Sequence, residues 1–127
     1  MARDRRCPCG SLTPYGDCCG ALHRGARAAA TAEELMRSRY SAYVVHDEGH
    51  LLRSWHPATR PASIGFDDDL RWTGLEIVAT EAGGTADVDG VVEFRAHHTV
   101  AGEPGVLHEV SRFRRHDGAW TYVRGRS

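Results

Sequence analysis

The sequence predicts an α+β domain that carries a short cysteine-rich segment at its N-terminus. Three observations support this prediction. Apolar residues follow Thr31 at helical spacing, a two-residue alternation takes over from Arg71, and all four cysteines lie before Gly20. Because the predicted helices precede strands joined by short turns, we expect a curved antiparallel sheet with the helices on one face. The 127 residues, 41% of them hydrophobic, are enough for one core.

The first long helix is predicted to begin at Thr31. The segment Thr31-Ala32-Glu33-Glu34 has the form of a capping box, in which the threonine hydroxyl caps the helix and Glu34 reaches back. Apolar residues then recur three and four positions apart, as they do on one face of a helix, namely Leu35, Met36, Tyr40, Tyr43 and Val44.

A second, short helix is expected to begin after Asp47, whose side chain can cap it. It carries the apolar residues Leu51, Leu52 and Trp55. We expect His56-Pro57 to end it, because a residue that precedes proline avoids helical backbone angles.

Period-two patterns predict the strands. In the first strand Leu75, Ile77 and Ala79 alternate with Glu76, Val78 and Thr80, and Gly83-Gly84 ends it. One face of the second strand carries Val92, Phe94, Ala96, His98 and Val100. After a predicted turn over 102–105, one face of the third strand carries Leu107, Glu109, Ser111 and Phe113. Asp117-Gly118 then turns into a fourth strand with Trp120, Tyr122 and Arg124, so that the strands form a meander.

The cysteines have the spacing Cys7-x-Cys9-x8-Cys18-Cys19. Four thiolates can complete a tetrahedral zinc site, and a segment too short for an apolar core would obtain its folding energy from the metal. Such a site has no position for water, so its zinc would be structural. The alternatives are two disulfides or free thiols, and disulfides need an oxidising compartment that the sequence does not indicate.

Charge and hydropathy exclude several classes of protein. No apolar stretch approaches the roughly 18 residues that span a bilayer, and no apolar region follows the N-terminal arginines as in a secretory signal. We therefore expect a cytoplasmic protein without a membrane partner. The net charge of -1 argues against broad non-specific binding of nucleic acid. Only the N-terminal thirty residues hold a basic excess, through Arg3, Arg5, Arg6, Arg24 and Arg27.

The N-terminal residues resemble the SEC-C zinc motif, which occurs in the translocation ATPase SecA and in many small bacterial proteins. The resemblance is carried by Cys7-Pro8-Cys9-Gly10-Ser11, by the eight-residue gap, and by Cys18-Cys19-Gly20. Thr13-Pro14 stands where lysines are common in the SecA copy, so the resemblance does not extend to that copy's partner.

Nearly the whole chain resembles the YchJ-like bacterial family, which joins a SEC-C motif to a nuclear-transport-factor-2-like domain. The matching segments are residues 34–43, Trp55-His56-Pro57, Trp72-x-x-Leu75-x-Ile77, His108-Glu109-x-Ser111-x-Phe113 and Gly118-x-Trp120. The resemblance implies a fold, a bent sheet and helices that form a cone, and no established activity. Composition divides the chain into a cysteine-rich segment (1–22), a linker (23–30) and a globular domain (31–127). The resemblance implies that the first is a zinc-binding motif and the last a nuclear-transport-factor-2-like domain.

Three residues are candidates for chemistry in a cone of this kind. Glu109 falls on an apolar strand face, where a carboxyl group suited to proton transfer is expected to have a raised pKa, and His98 or His56 could act with it. The alternative assigns them structural roles. Glu109 would form an ion pair with Arg37, Arg39 or Arg112, His98 would lie in solvent at a strand end, and His56 would only stop a helix.

Two classes of function follow. In the first, the zinc knuckle and its five nearby arginines dock on a protein or nucleic-acid partner. In the second, the cone holds a small-molecule ligand or substrate, and zinc only folds the N-terminus. The first is favoured because the cysteine motif is the strongest functional signal in the sequence. Whether the protein is an enzyme stays open, and the sheet could mediate a homodimer.

Overall fold

A computed structural model describes residues 5–127 of the chain. Within these residues a 3-10 turn and three α-helices precede four strands. The turn is Tyr15–Asp17, and the helices are α1 (Cys19–His23), α2 (Ala32–Val45) and α3 (Glu48–Arg53). The strands are β1 (Leu70–Ala82), β2 (Asp89–Val100), β3 (Glu103–His116) and β4 (Ala119–Arg126).

The long helix α2 begins where the sequence predicts. The Glu34 backbone N–H donates to Thr31 Oγ1 over 3.1 Å, which satisfies one of the unpaired donors of the first turn. The Glu34 carboxylate accepts a bond from the backbone N–H of Ala30, at 3.4 Å, one residue before the cap. At its other end α2 stops at His46, whose φ of 59° lies in the left-handed region.

Helix α3 is shorter than predicted. Asp47 caps it as expected, since its Oδ1 accepts from the backbone N–H of His50 at 3.0 Å. However, α3 ends at Arg53, so the prediction that Trp55 lies in this helix is wrong. Instead β4 pairs with this part of the chain: the Tyr122 N–H donates to Ser54 O and the His56 N–H donates to Tyr122 O, each over 2.8 Å. These bonds satisfy the backbone on both sides of Trp55 without a helix.

The four strands form one antiparallel sheet in the order β1-β2-β3-β4, the meander that the sequence predicts. Register shifts in β1 mark two irregularities, a feature that bends a strand and increases its twist. The turn between β2 and β3 is tighter than predicted: it uses Ala101 and Gly102, both with positive φ. Pro104 and Gly105 therefore belong to β3, opposite Thr99 and His98.

The core lies between α2 and the concave face of the sheet. Its buried members are Ala32, Leu35, Met36, Tyr40, Val92, Phe94, Ala96, Phe113 and Trp120. The predicted inward alternation of β2 is correct at Val92, Phe94 and Ala96. The architecture is therefore the predicted α+β arrangement of helices on a curved antiparallel sheet.

The predicted linker begins at His23, which is the buried last residue of α1. The division into motif, linker and domain stays a prediction. None of the helices in residues 5–127 has both the length and the apolar character needed to cross a membrane.

Candidate metal centre and ligand cavity

The four cysteine sulfurs converge on one point. All four Sγ atoms lie within 4.8 Å of one another, and Cys9 Sγ is 3.7 Å from Cys18 Sγ. The four cysteines are free, not joined in disulfides. In a tetrahedral site with metal–sulfur bonds of about 2.3 Å, neighbouring sulfurs are about 3.8 Å apart. The cluster therefore offers the donor set and nearly the spacing of a four-thiolate metal site.

The protonation of the cluster is uneven. Hydrogen bonds from Cys19 and Cys9 lower the pKa of Cys7 to about 3, so this sulfur is held as a thiolate. Contacts with Cys7 and Cys9, together with burial, raise the pKa of Cys19. Since a second negative charge among these sulfurs is disfavoured, a cation at their centre would stabilise the deprotonated cluster.

Two local structures position the sulfurs. The Cys7 N–H donates to Thr13 O over 2.8 Å, and this hydrogen bond closes a loop that contains the first cysteine pair. The second pair stands at the start of α1, where Gly20 packs against the Tyr15 backbone. A Cβ at Gly20 would lie 2.6 Å from Tyr15 O, so this approach requires glycine.

Helix α2 supports the metal centre, a contact that the sequence reasoning missed. Ser41 Oγ lies 3.5 Å from Cys7 Sγ, and Arg37 Nη1 donates to Cys9 O over 2.7 Å. The hydroxyl of Tyr15 donates to His23 Nδ1 at 2.6 Å, and His23 Nε2–H donates to Ser38 O at 2.8 Å. Arg37, Ser38 and Ser41 lie in segment 34–43, which matches the YchJ-like family. This match is the signal in the sequence that could have indicated their role.

A second buried histidine lies beside His23. The ring centroids of His23 and His50 are 4.6 Å apart, and His50 Nε2 is 2.9 Å from Ser38 Oγ. Burial, together with the nearby His23 and Arg39, lowers the pKa of His50 to about 3. The folded state therefore holds His50 neutral.

We expect this histidine to make stability depend on pH. Its folded pKa lies below the unfolded value of 6.5, so its stabilisation is present above pH 6.5 and is lost as the pH falls toward 3. The loss is at most about 1.4 kcal/mol per pH unit. Of the charged groups near His50, Asp47 opposes the shift and Arg53 adds to it. Urea unfolding between pH 7.5 and 4.5 measures the slope.

The matched variant for this prediction is His50→Gln, which keeps an N–H donor for Ser38 and cannot titrate. Its free energy of unfolding should fall less steeply with decreasing pH than that of the wild type. Equal slopes for the two proteins would show that His50 does not carry the effect.

A cavity of about 230 Å³ lies between α2 and the concave face of the sheet. Leu107, 39% exposed, lines it and marks its opening to solvent. The walls are mainly aromatic and apolar, with two charged residues among them: Met36, Arg39, Tyr40, Tyr43, Trp55, Trp72, Phe94, Ala96, Leu107, Glu109 and Tyr122.

Glu109 lies in this cavity without an arginine partner. Its Oε2 accepts from Ser111 Oγ at 2.5 Å and from the Tyr122 hydroxyl at 3.2 Å. The ion pair with Arg37, Arg39 or Arg112 that the structural alternative expects does not form among the described residues. Arg37 instead pairs with Glu33 and donates to Cys9 O in the loop over residues 7–18 (the cysteine loop), which places its guanidinium beside the metal centre.

Neither candidate histidine lines the Glu109 cavity. His98 packs edge-on against Trp72, with ring centroids 5.4 Å apart. Its ring also lies against Gly105, where an added Cβ would be only 2.7 Å from His98 Nε2. It is half-buried, not at a solvent-exposed strand end. His56 is held by β4 and borders a separate open groove, with its Nδ1 accepting from Ala58 N–H. The structure thus gives Glu109 no histidine partner in the cavity.

Arg39 is the charged cavity residue that sequence reasoning placed only as a partner for Glu109. It is 3% exposed, and its Nη1 donates to Leu51 O at 2.9 Å and to Ser54 Oγ at 2.6 Å. Its Cζ lies 4.8 Å from the ring centroid of Trp55 and 4.5 Å from that of Tyr122. Burial lowers its pKa to about 10, which leaves it charged at neutral pH.

The basic N-terminal residues are partly used within the fold. Arg24 donates to Gly16 O at 2.8 Å, and Arg27 forms an ion pair with Glu34. Arg5 and Arg6 are exposed, and Arg3 lies outside the described residues. Of the four described arginines, Arg24 and Arg27 are therefore engaged in contacts within the fold.

Comparison with known proteins identifies the family. The family model described as "YchJ, middle NTF2-like domain" matches residues 31–125. The chain belongs to this YchJ-like family. Among similar YchJ-like relatives, a UPF0225 protein of Streptomyces coelicolor is 53% identical over 119 residues, covering 94% of this chain and 93% of its own. A UPF0225 protein of Chromobacterium violaceum is 49% identical over 123 residues, covering 94% and 90%.

Two solved structures are also similar over nearly the full chain. A SEC-C motif containing protein from Rhodopseudomonas palustris has 32% identity and a TM-score of 0.83, covering 97% of this chain and 98% of its own. A sec-c motif containing protein from Psychrobacter arcticus has 26% identity and a TM-score of 0.79, covering 98% and 84%. The predicted YchJ-like resemblance and the nuclear-transport-factor-2-like fold are thereby confirmed, and the cysteine cluster is one that could bind metal.

Proposed function

We propose that this YchJ-like protein binds a small planar organic molecule in the cavity between α2 and the sheet, and that zinc at the cysteine cluster stabilises the fold around that cavity. The observation that carries the proposal is the cavity itself. Its aromatic walls contain a buried guanidinium and a carboxylate that form no contact ion pair with each other or with another described residue.

The volume suits a ligand with one ring. A cavity of about 150 Å³ is enough for benzene, so about 230 Å³ accommodates one substituted ring. Trp55 contributes a buried Nε1 donor without a partner in the described part of the chain. Because buried polar groups are nearly always hydrogen-bonded, this donor favours a ligand with an acceptor atom.

The arrangement favours binding over catalysis. The proton-transfer pair that the sequence suggests, Glu109 with His98 or His56, is not assembled in the cavity, because neither histidine lines it. We therefore propose a binding protein and assign Glu109 to ligand recognition.

Zinc would be held by Cys7, Cys9, Cys18 and Cys19. Four sulfur donors leave no coordination position for water, so the ion would supply folding energy and no reaction. Its ligands would connect the loop before α1 to α2, the helix that provides Met36, Arg39, Tyr40 and Tyr43 to the cavity.

A cavity-filling substitution tests the proposal. Ala96→Leu adds a larger side chain to a buried wall residue, and we expect it to weaken binding of the neutral probe benzamide at least tenfold. Ala79→Leu, on an exposed position of β1, is the control and should bind as the wild type does. Calorimetric titration measures both. Unchanged binding by a folded Ala96→Leu protein would place the site elsewhere.

Docking on a partner stays a second candidate because of one observation. Leu12, in the cysteine loop, is 69% exposed and has a φ of 68°, in the left-handed region that favours glycine. An apolar side chain displayed in this way suits a protein partner better than nucleic acid, particularly since Arg24 and Arg27 are used within the fold. A homodimer through the sheet and a cytoplasmic location stay predictions.

A further inference from the structure

We infer that the ligand is an aromatic acid whose carboxylate binds the guanidinium of Arg39. This inference rests on the proposed function and goes beyond it by assigning the ligand's charge and the residue that selects it. It follows from the burial of Arg39 without an ion pair, from the geometry around Arg39 and from the position of Glu109.

Arg39 is a buried cation with no carboxylate in contact, because Glu109, the other charged residue of the cavity, attracts it only at longer range. No carboxylate lies within 4.0 Å of it in residues 5–127, although it is almost fully buried. Burying an ionised group is unfavourable unless it is paired and hydrogen-bonded. Two neutral acceptors and two aromatic rings compensate part of this cost. A ligand anion would supply the missing pair.

The guanidinium also retains unused donors. It has five N–H groups, and both of the hydrogen bonds that it donates within the described chain come from Nη1. The planar fork of arginine matches a carboxylate, which can accept two parallel bonds from it. The aromatic pair Trp55 and Tyr122 supports the guanidinium, so it is held in place before the ligand arrives.

Glu109 lies in the same cavity and limits which acids fit. Ser111 and Tyr122 both donate to its Oε2, so the carboxylate is held by two hydroxyl groups. A ligand with a second negative charge would be repelled by Glu109, whereas a hydroxyl or amine on the ring could donate to it. The cavity therefore favours a monoanion over a dianion.

A charge series of one-ring probes tests the inference. Benzoate, benzamide and benzylammonium have nearly the same size and differ in charge. We expect benzoate to bind at least tenfold more tightly than benzamide, and benzylammonium to bind most weakly. In Arg39→Lys, which keeps the charge and loses the fork, benzoate affinity should fall about tenfold while benzamide affinity changes less than threefold.

Each outcome decides between the two proposals. If benzamide or benzylammonium binds as tightly as benzoate, the cavity is a ligand site but Arg39 does not select an acid, and only this inference fails. If none of the three probes binds the wild type, the proposed function fails with it. Should Arg39→Lys not fold, Glu109→Gln provides the second variant: it should strengthen benzoate binding, and weaker benzoate binding would overturn the inference.

Discussion

Cys9→Ser is expected to remove zinc from the protein and to unfold the segment that precedes α2. Cys9 is fully buried among the other three sulfurs, so no solvent ligand can replace it without exposing the cluster. Structural zinc supplies about 10–16 kcal/mol in small zinc-finger peptides, far more than an isolated loop of this size can obtain from packing. Elemental analysis should find about one zinc ion per wild-type chain and almost none in the variant.

Ser11→Ala is the matched control for this experiment. Ser11 Oγ lies 3.1 Å from Cys18 Sγ but is an exposed hydroxyl outside the four-sulfur set. This variant should keep its zinc and its amide protection over residues 7–23. A Cys9→Ser protein with full zinc content, or one with wild-type hydrogen-exchange protection in this segment, would contradict the assignment.

Loss of zinc should also reduce the order of the ligand cavity. The cysteine loop contacts α2 through Cys7 with Ser41 and through Cys9 O with Arg37, and neighbouring residues of the same helix line the cavity. When the loop unfolds, these contacts disappear while the sheet keeps its own hydrogen bonds. The cavity would therefore lose order on its helical wall first.

Phe113→Ala is expected to destabilise the domain by about 3–5 kcal/mol, the range for removing a buried phenylalanine. Phe113 is among the largest fully buried side chains, and its ring lies 5.8 Å from that of Tyr122. Val106→Ala, at an exposed position of the same strand, should stay within about 0.5 kcal/mol of the wild type. Urea unfolding compares the two. Similar losses for both variants would mean that β3 does not contribute its predicted face to the core.

The features that sequence predicted well are those set by local pattern. Strand alternation fixes which residues share a face, so Val92, Phe94 and Ala96 point inward as predicted. The cap at Thr31 and the turn at Asp117-Gly118 are also local, because each depends on residues within four positions. The cysteine spacing predicted the cluster because all four ligands lie within one short segment, residues 7–19.

The features that sequence missed depend on contacts between distant parts of the chain. Trp55 lies outside the predicted helix because the backbone beside it bonds to Tyr122 in β4, a residue 67 positions later in the chain. Glu109 found hydroxyl partners instead of an arginine because Tyr122 stands on the adjoining strand. Arg39 falls on the apolar face of α2, and this position could have marked it as a buried charge. Its aromatic neighbours, Trp55 and Tyr122, come from other parts of the chain, so its surroundings could not be predicted.

The central claim is that the space between α2 and the sheet is a ligand site, and the three tryptophans allow a direct test. Trp55 and Trp72 line the cavity, whereas Trp120 does not, and its Nε1 donates to Ala30 O at 3.2 Å. Titration with benzamide, followed through the three indole N–H resonances and assigned with Trp55→Phe and Trp72→Phe, should shift Trp55 and Trp72 saturably and leave Trp120 in place. Unmoved resonances for Trp55 and Trp72 would contradict the claim.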